Sequence, residues 1–288
     1  MSKKYITPFL LVFQCILWSC TETNDVINPG DKPIIEAYLA PNHRVSLKVF
    51  TEIPYSESAE GVSEPIDGLS IKITGTDGKV FNLTSLGNGL YESSKTQLIG
   101  SAKTIYTMEF DYKGRKVSAS TEIPEKPVSF KIDKTSISRT QIDLSTGFPM
   151  GGGGFGGGGG GPFGGDENTS VVLTWSNPNQ NYHFVAVENT ETTPVQIVIP
   201  PSGATLPSFR FFNEPLTGVN NTLRSQSFQY FGSHNIVLYR VNAEYAALYQ
   251  SSGTTSKNLS TPPTSIVNGL GIFTGINADT LKFTVNKN

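Results

Sequence analysis

The sequence predicts an all-β protein built from two sandwich-like units, and three observations lead there. Short runs alternate apolar and polar residues, the pattern of strands with one buried face. Asp77-Gly78 and Asn88-Gly89 separate such runs, and these dipeptides suit tight hairpin turns. One stretch alone, Ala243 to Gln250, carries helical spacing, with Tyr245, Leu248 and Tyr249 on one face and Asn242 placed as its cap.

The chain begins with an export pattern. Lys3 and Lys4 precede an apolar run from Phe9 to Trp18. That run is too short for a bilayer core, which needs about 20 residues of helix, and reads as the central region of a signal peptide over residues 1–19. Leu17-Trp18-Ser19-Cys20 resembles a lipobox. Small Ser19 suits the cleavage site, and the Cys20 thiol is the atom that takes the lipid. The plainer alternative is an ordinary secretory signal followed by a chance cysteine. Cys15 leaves with the signal, so the mature chain keeps a single Cys and no internal disulfide or thiol cluster. Residues 20–32 carry no apolar pattern and read as a tether. Its acids, Glu22 and Asp25, resemble the surface-export signal of Bacteroidota lipoproteins, with a plain solvated tether as the alternative.

Residues 33–127 form the first unit. Strands are expected over Ile34 to Leu39, Val45 to Phe50, Leu69 to Ile73 and Val80 to Leu83, with a short one at Leu90-Tyr91. Tyr106, Met108, Phe110 and Tyr112 share one face of the next strand, and Val117, Ala119 and Thr121 share one face of the last. About seven short strands without a helix point to an immunoglobulin-like or transthyretin-like sandwich. Ile123-Pro124-Glu125-Lys126-Pro127 ends the unit, since proline does not extend a central strand.

Residues 128–288 form the second unit. Phe130 and Ile132, then Ile137, Ile142 and Leu144, suggest two strands. A Gly-rich loop follows at 147–168, almost pure glycine from Gly151 to Gly165. It supplies no core residues and cannot recover its ordering entropy. A phosphate loop would need Lys-Ser/Thr and a helix, but Asp166-Glu167 comes next. Phe155 and Phe163, its aromatic residues, are candidate partner contacts. Thr174-Trp175-Ser176-Asn177-Pro178 before a Tyr-led strand resembles the B and C strands of fibronectin type III domains, with Trp175 as the core aromatic. Further strands are expected at Val195 to Ile199, Phe209 to Phe212 and Ile236 to Val241, and a terminal strand at Leu281, Phe283 and Val285. The unit is too long for a plain sandwich and carries insertions.

Little in the sequence signals chemistry. Without Lys3 and Lys4, 20 basic residues face 24 acidic ones, and no basic stripe invites nucleic acid. His43, His183 and His234 are scattered, and the last two fall on expected strands, where a satisfied structural role is the simpler reading. No nucleophile elbow is present. Asp166-Glu167 and Glu57 with Glu60 lack the spacing of a calcium loop. Phe211, Phe212, Tyr230 and Phe231 suit core packing better than a ligand groove. The expectation is a non-enzymatic protein without cofactor or metal.

Several patterns in order resemble one family. They are the lipobox, Pro33-Ile34-Ile35-Glu36-Ala37-Tyr38-Leu39, the Gly68 to Leu83 hairpin and Asn88-Gly89-Leu90-Tyr91. Ala119 to Pro124 follows, and Ile266-Val267-Asn268-Gly269-Leu270-Gly271-Ile272-Phe273 closes the set as a glycine-enforced turn before the final strand. This resembles the Bacteroidota lipoproteins grouped as the 4249 family of domains of unknown function, whose members are typically encoded beside TonB-dependent receptors. The Gly-rich tract departs from that pattern. The resemblance implies an outer-membrane, cell-surface lipoprotein docked on an outer-membrane β-barrel. The barrel is a TonB-dependent receptor for nutrient uptake or, alternatively, part of the machinery that assembles outer-membrane proteins.

Overall fold

The computed structural model describes residues 32–52, 63–145, 170–200, 214–251 and 264–288. It is nearly all β with sandwich-like packing and, among the described residues, one short α-helix. The expected fold class is therefore observed.

In the first unit, β1 (Pro33–Leu39), β2 (Ser46–Thr51), β5 (Thr84–Gly87) and β6 (Leu90–Glu92) belong to one sheet. The strands β3 (Lys72–Gly75), β4 (Val80–Asn82), β7 (Ile105–Tyr112) and β8 (Arg115–Glu122) form a second, in the order β4-β3-β7-β8. The alternation read from sequence is the alternation seen. Tyr106, Met108 and Phe110 on β7 and Val117, Ala119 and Thr121 on β8 are buried, while their neighbours face outward. The two sheets close over one core that joins Ile35, Leu47 and Val49 to Ile73, Phe81 and Met108. Leu69 and Ile71 precede β3 rather than forming it, although Ile71 is buried. The strand β5 was not expected, because its sequence offers a single apolar residue, Leu86.

The Asp77-Gly78 turn is tied down from below. The Tyr106 hydroxyl donates to Asp77 Oδ2 at 2.9 Å and accepts from the Gly100 amide at 2.7 Å. Burial pushes that phenol up to about 12. Gly75 and Gly100 leave the room this needs, since a Cβ at either would strike Asp77.

In the second unit, β9 (Val128–Ile132), β12 (Val171–Ser176) and β15 (Asn220–Leu223) pair in the order β15-β12-β9. They pack on β13 (Tyr182–Asn189) and β16 (Gly232–Val241) around Leu173, Trp175, Val185 and Ile236. The short strands β11 (Ile142–Asp143) and β14 (Val198–Ile199) pair with each other, and β10 (Ser136–Arg139) lies nearby. Helix α1 (Ala243–Ser251) follows β16, where helical spacing placed it.

The terminal strand departs most from expectation. β17 (Leu270–Lys287) is 18 residues long, not a short strand at Leu281 to Val285. Its first part pairs in parallel with β1, from Ile34↔Leu270 to Leu39↔Gly275. Its second part pairs antiparallel with β16 from Ile276 to Val285 and in parallel with β10 from Thr284 to Lys287. One strand thus joins the two units into a single eight-stranded sheet. The expected turn leads into it, with Asn268 at φ 56° before the strand and Gly271 at φ 93° as its second residue.

Candidate functional site

Ser19 and Cys20, the expected cleavage and lipidation residues, lie outside the described residues. So do Phe155, Phe163 and the whole Gly-rich tract, the acids Glu57, Glu60, Asp166 and Glu167, and Phe209 to Phe212. What the structure does bring together is a polar node where the units meet.

Thr121 of β8 sits at its centre and is 4% exposed. Its hydroxyl donates to Glu244 Oε1 at 3.0 Å. Thr121 Oγ1 also accepts from Asn242 Nδ2 at 3.0 Å and from the Gly275 amide at 2.9 Å. A hydroxyl has one proton and two lone pairs, so Thr121 is fully used. Glu244 also accepts from Thr274, which is wholly buried. Asn242 donates to the Glu122 carbonyl at 2.8 Å, and Asn277 donates to the Pro124 carbonyl at 2.9 Å. Two ion pairs flank the node, Lys103 with Glu125 at 2.8 Å and Lys126 with Asp279 at 2.9 Å. The hydrogen bond from Lys103 holds the Glu125 carboxyl below its usual range. The bonds of Thr121, the Asn242–Glu122 and Asn277–Pro124 bonds and the Lys126–Asp279 pair tie the first unit, or the segment leaving it, to β16–α1 or β17. Glu244–Thr274 joins α1 to β17, and Lys103–Glu125 braces the first unit itself. The node is a latch, and its sequence signal is slight: ordinary polar residues more than a hundred positions apart.

The histidines do not converge. His43 is exposed and bonds the Pro41 carbonyl. His183 and His234 are both 2% exposed, on β13 and β16. His183 Nδ1 bonds the Asn181 carbonyl at 3.0 Å, and its ring lies 5.7 Å from that of Trp175. His234 can be assigned a tautomer. Asn189 Oδ1 accepts from the Glu191 amide, so its Nδ2 is the atom facing His234 Nε2 at 3.2 Å. Nε2 is then the acceptor, and Nδ1 carries the proton that bonds the Gly232 carbonyl at 3.0 Å. Trp175 is buried in the core as expected, as is Phe231. No group of three or more metal-ligating side chains occurs among the described residues.

Burial holds both histidines below their ordinary pKa. Below about pH 6.5 the unfolded chain therefore binds more protons than the folded one, and stability falls as pH drops towards the folded values. Melting temperatures should decline from pH 7.5 to pH 5. The carboxyls of Asp143 and Glu191, also held low, add their share only at lower pH. A melting temperature that stays level or rises on acidification across this window contradicts the assignment.

No family model and no curated protein matches the chain. Among solved structures it is similar to the Yersinia pseudotuberculosis adhesin InvE, at 13% identity and a TM-score of 0.21. That match covers 88% of this chain and 58% of the adhesin chain. This chain thus spans less than two thirds of the adhesin.

Proposed function

We propose that this chain is a lipid-anchored accessory protein of the outer membrane, at the cell surface, that docks on a TonB-dependent β-barrel in nutrient uptake. The observation that carries the reading is the leader from Lys3 to Cys20, followed by a polar tether that runs into β1. The ordered motifs from Pro33 to Phe273 support it through their resemblance to a family of surface lipoproteins. Acylated Cys20 is the membrane anchor, several acyl chains on one residue giving stable attachment. Phe155 and Phe163 are the proposed contacts to the barrel. No helix among the described residues is long and apolar enough to cross a membrane.

Cys20→Ala should yield a precursor that keeps its leader and takes no lipid, detected by the mass of its N-terminal peptide. Normal acylation of that variant ends the anchor reading. Tagged wild-type protein drawn from native membranes should bring a plug-bearing receptor with it, and Phe155→Ser with Phe163→Ser should weaken that complex. Co-purification with an assembly barrel favours the alternative role, and a protein that emerges without any barrel sinks both.

A further inference from the structure

We propose that the end of the first unit formed by the start of β1 and the β7–β8 turn is a foot that rests on anionic lipid headgroups. This inference rests on the anchor reading above. It draws on where the chain enters the fold and on the charges beside that entry.

Cys20 and Pro33 are thirteen positions apart, so covalent geometry alone keeps the entry of β1 within about 45 Å of the lipid. From there β1 runs parallel to β17, and both strands begin at one end, Ile34 opposite Leu270. The β7–β8 turn belongs to the same end. Asn268 donates from its side chain to the Lys116 carbonyl at 2.8 Å, and Val267 bridges Ser118. A Cβ on Gly269 would touch Ile266, Ile35 and Val117 together, so the three segments meet there.

The turn reads Tyr112-Lys113-Gly114-Arg115-Lys116, three cations within four residues, and Lys32 stands just before β1. Lys113 and Gly114 are both left-handed, at φ 48° and 77°, so this is a tight two-residue turn with a fixed tip. The Lys113 ammonium lies 5.5 Å from the Tyr112 ring centre, and Lys116 reaches Glu109 at 3.0 Å. Asp111 is exposed on the same hairpin. Glu52 and Glu64 stand on the other flank: Thr51, opposite Pro33, binds the Glu64 amide. Since β2 and β17 lie on opposite sides of β1, the cations and these acids lie on opposite sides of the entry. Val267, 58% exposed beside the cationic turn, offers an apolar contact at headgroup depth. The tether holds this face near the bilayer, so even weak headgroup contacts fill at high local concentration.

The foot would set the posture of the molecule. From it, β17 extends about 60 Å of contour. At its far end Lys287 pairs with Arg139, six residues before Ser145, and Asp133 binds Val172, two residues after Ser170. The chain therefore enters and leaves its Gly-rich tract at the end remote from the bilayer.

The mature chain carrying Cys20→Ser should co-sediment with phosphatidylglycerol–phosphatidylcholine vesicles at low salt and not with phosphatidylcholine alone. Lys113→Glu, Arg115→Glu and Lys116→Glu together should cut that binding about tenfold or more, with an unchanged melting temperature. Lys282→Glu with Lys287→Glu, at the far end, should not. Equal binding by the turn variant overturns the proposal, as does absence of binding to the anionic vesicles. Binding to polyglutamate but not to vesicles also overturns it, assigning the face to an acidic protein. The mass of the native N-terminal peptide tests the anchor separately. Acylated Cys20 with charge-independent vesicle binding sinks the foot alone, while unmodified Cys20 sinks the anchor.

Discussion

Stopping the chain after Ser265 should leave neither unit folded. The deletion removes Ile266 and Phe273 from the first core and Phe283 and Val285 from the second, all at most 4% exposed, with Phe273 at 0%. Losing a single buried Phe costs about 3–5 kcal/mol, against a total stability of about 5–15 kcal/mol for a typical domain. The ladder is lost as well: β17 gives β1 six register pairs, β16 ten and β10 four. β1 would become an edge, β16 would keep only β13, and Thr121 would lose the Gly275 amide. Far-ultraviolet circular dichroism should show no cooperative melting. A sharp transition at the wild-type temperature from residues 32–127 of such a fragment would show that the first unit closes without β17.

Gly271→Val should be the most damaging of the glycine substitutions. The backbone there is at φ 93°, where a β-branched residue is strained by about 1–3 kcal/mol. The space is also missing, since a Cβ would run into the carbonyl oxygen of Ile35. Ile35 cannot retreat, because it is wholly buried and its strand is held by β2 on the other side. Strain and displaced pairing together should exceed about 3 kcal/mol, a drop of at least about 6–12 °C in melting temperature for a chain this size. Gly114→Ala is the matched control. Its φ of 77° imposes strain, but nothing lies within 4 Å of the added carbon. It should cost only about 1 kcal/mol. Comparable shifts for the two would mean that contact with Ile35 matters little.

Much of the first unit was legible because its strands each bury one face. Tyr106, Met108 and Phe110 announce β7 by alternation, and Asp77-Gly78 marks the turn before β4. The long β17 was not legible. Its middle, Thr274-Gly275-Ile276-Asn277-Ala278-Asp279-Thr280, contains Gly, Asn and Asp and reads as a loop. Here the strand changes partners, and its side chains serve the latch rather than one core face. Thr274 and Asn277 are there for hydrogen bonds, so no apolar period runs through them. The strand β15, Asn220–Leu223, hid for a related reason, since only Leu223 turns inward. The candidate site divides the same way. The proposed lipidation motif is read from adjacent residues, whereas the latch joins Thr121 to Asn242, Glu244 and Gly275, which no local pattern connects.

The parallel pairing of β1 with β17 also sets a clock. Ile34 must wait for Leu270, and a ribosome adds about 5–20 residues per second. Once residue 127 is made, the nascent chain holds nearly the whole first unit for about 7 to 29 s without the strand that completes its sheet. During that time one side of β1 is an open edge able to pair with other extended chains. The pairing of Ile34 with Leu270 spans 236 positions, and such long-range closure slows folding further. Leu270 to Gly275 complete the sheet beside the first strand, and until they are made its open edge is a place where a chaperone can bind.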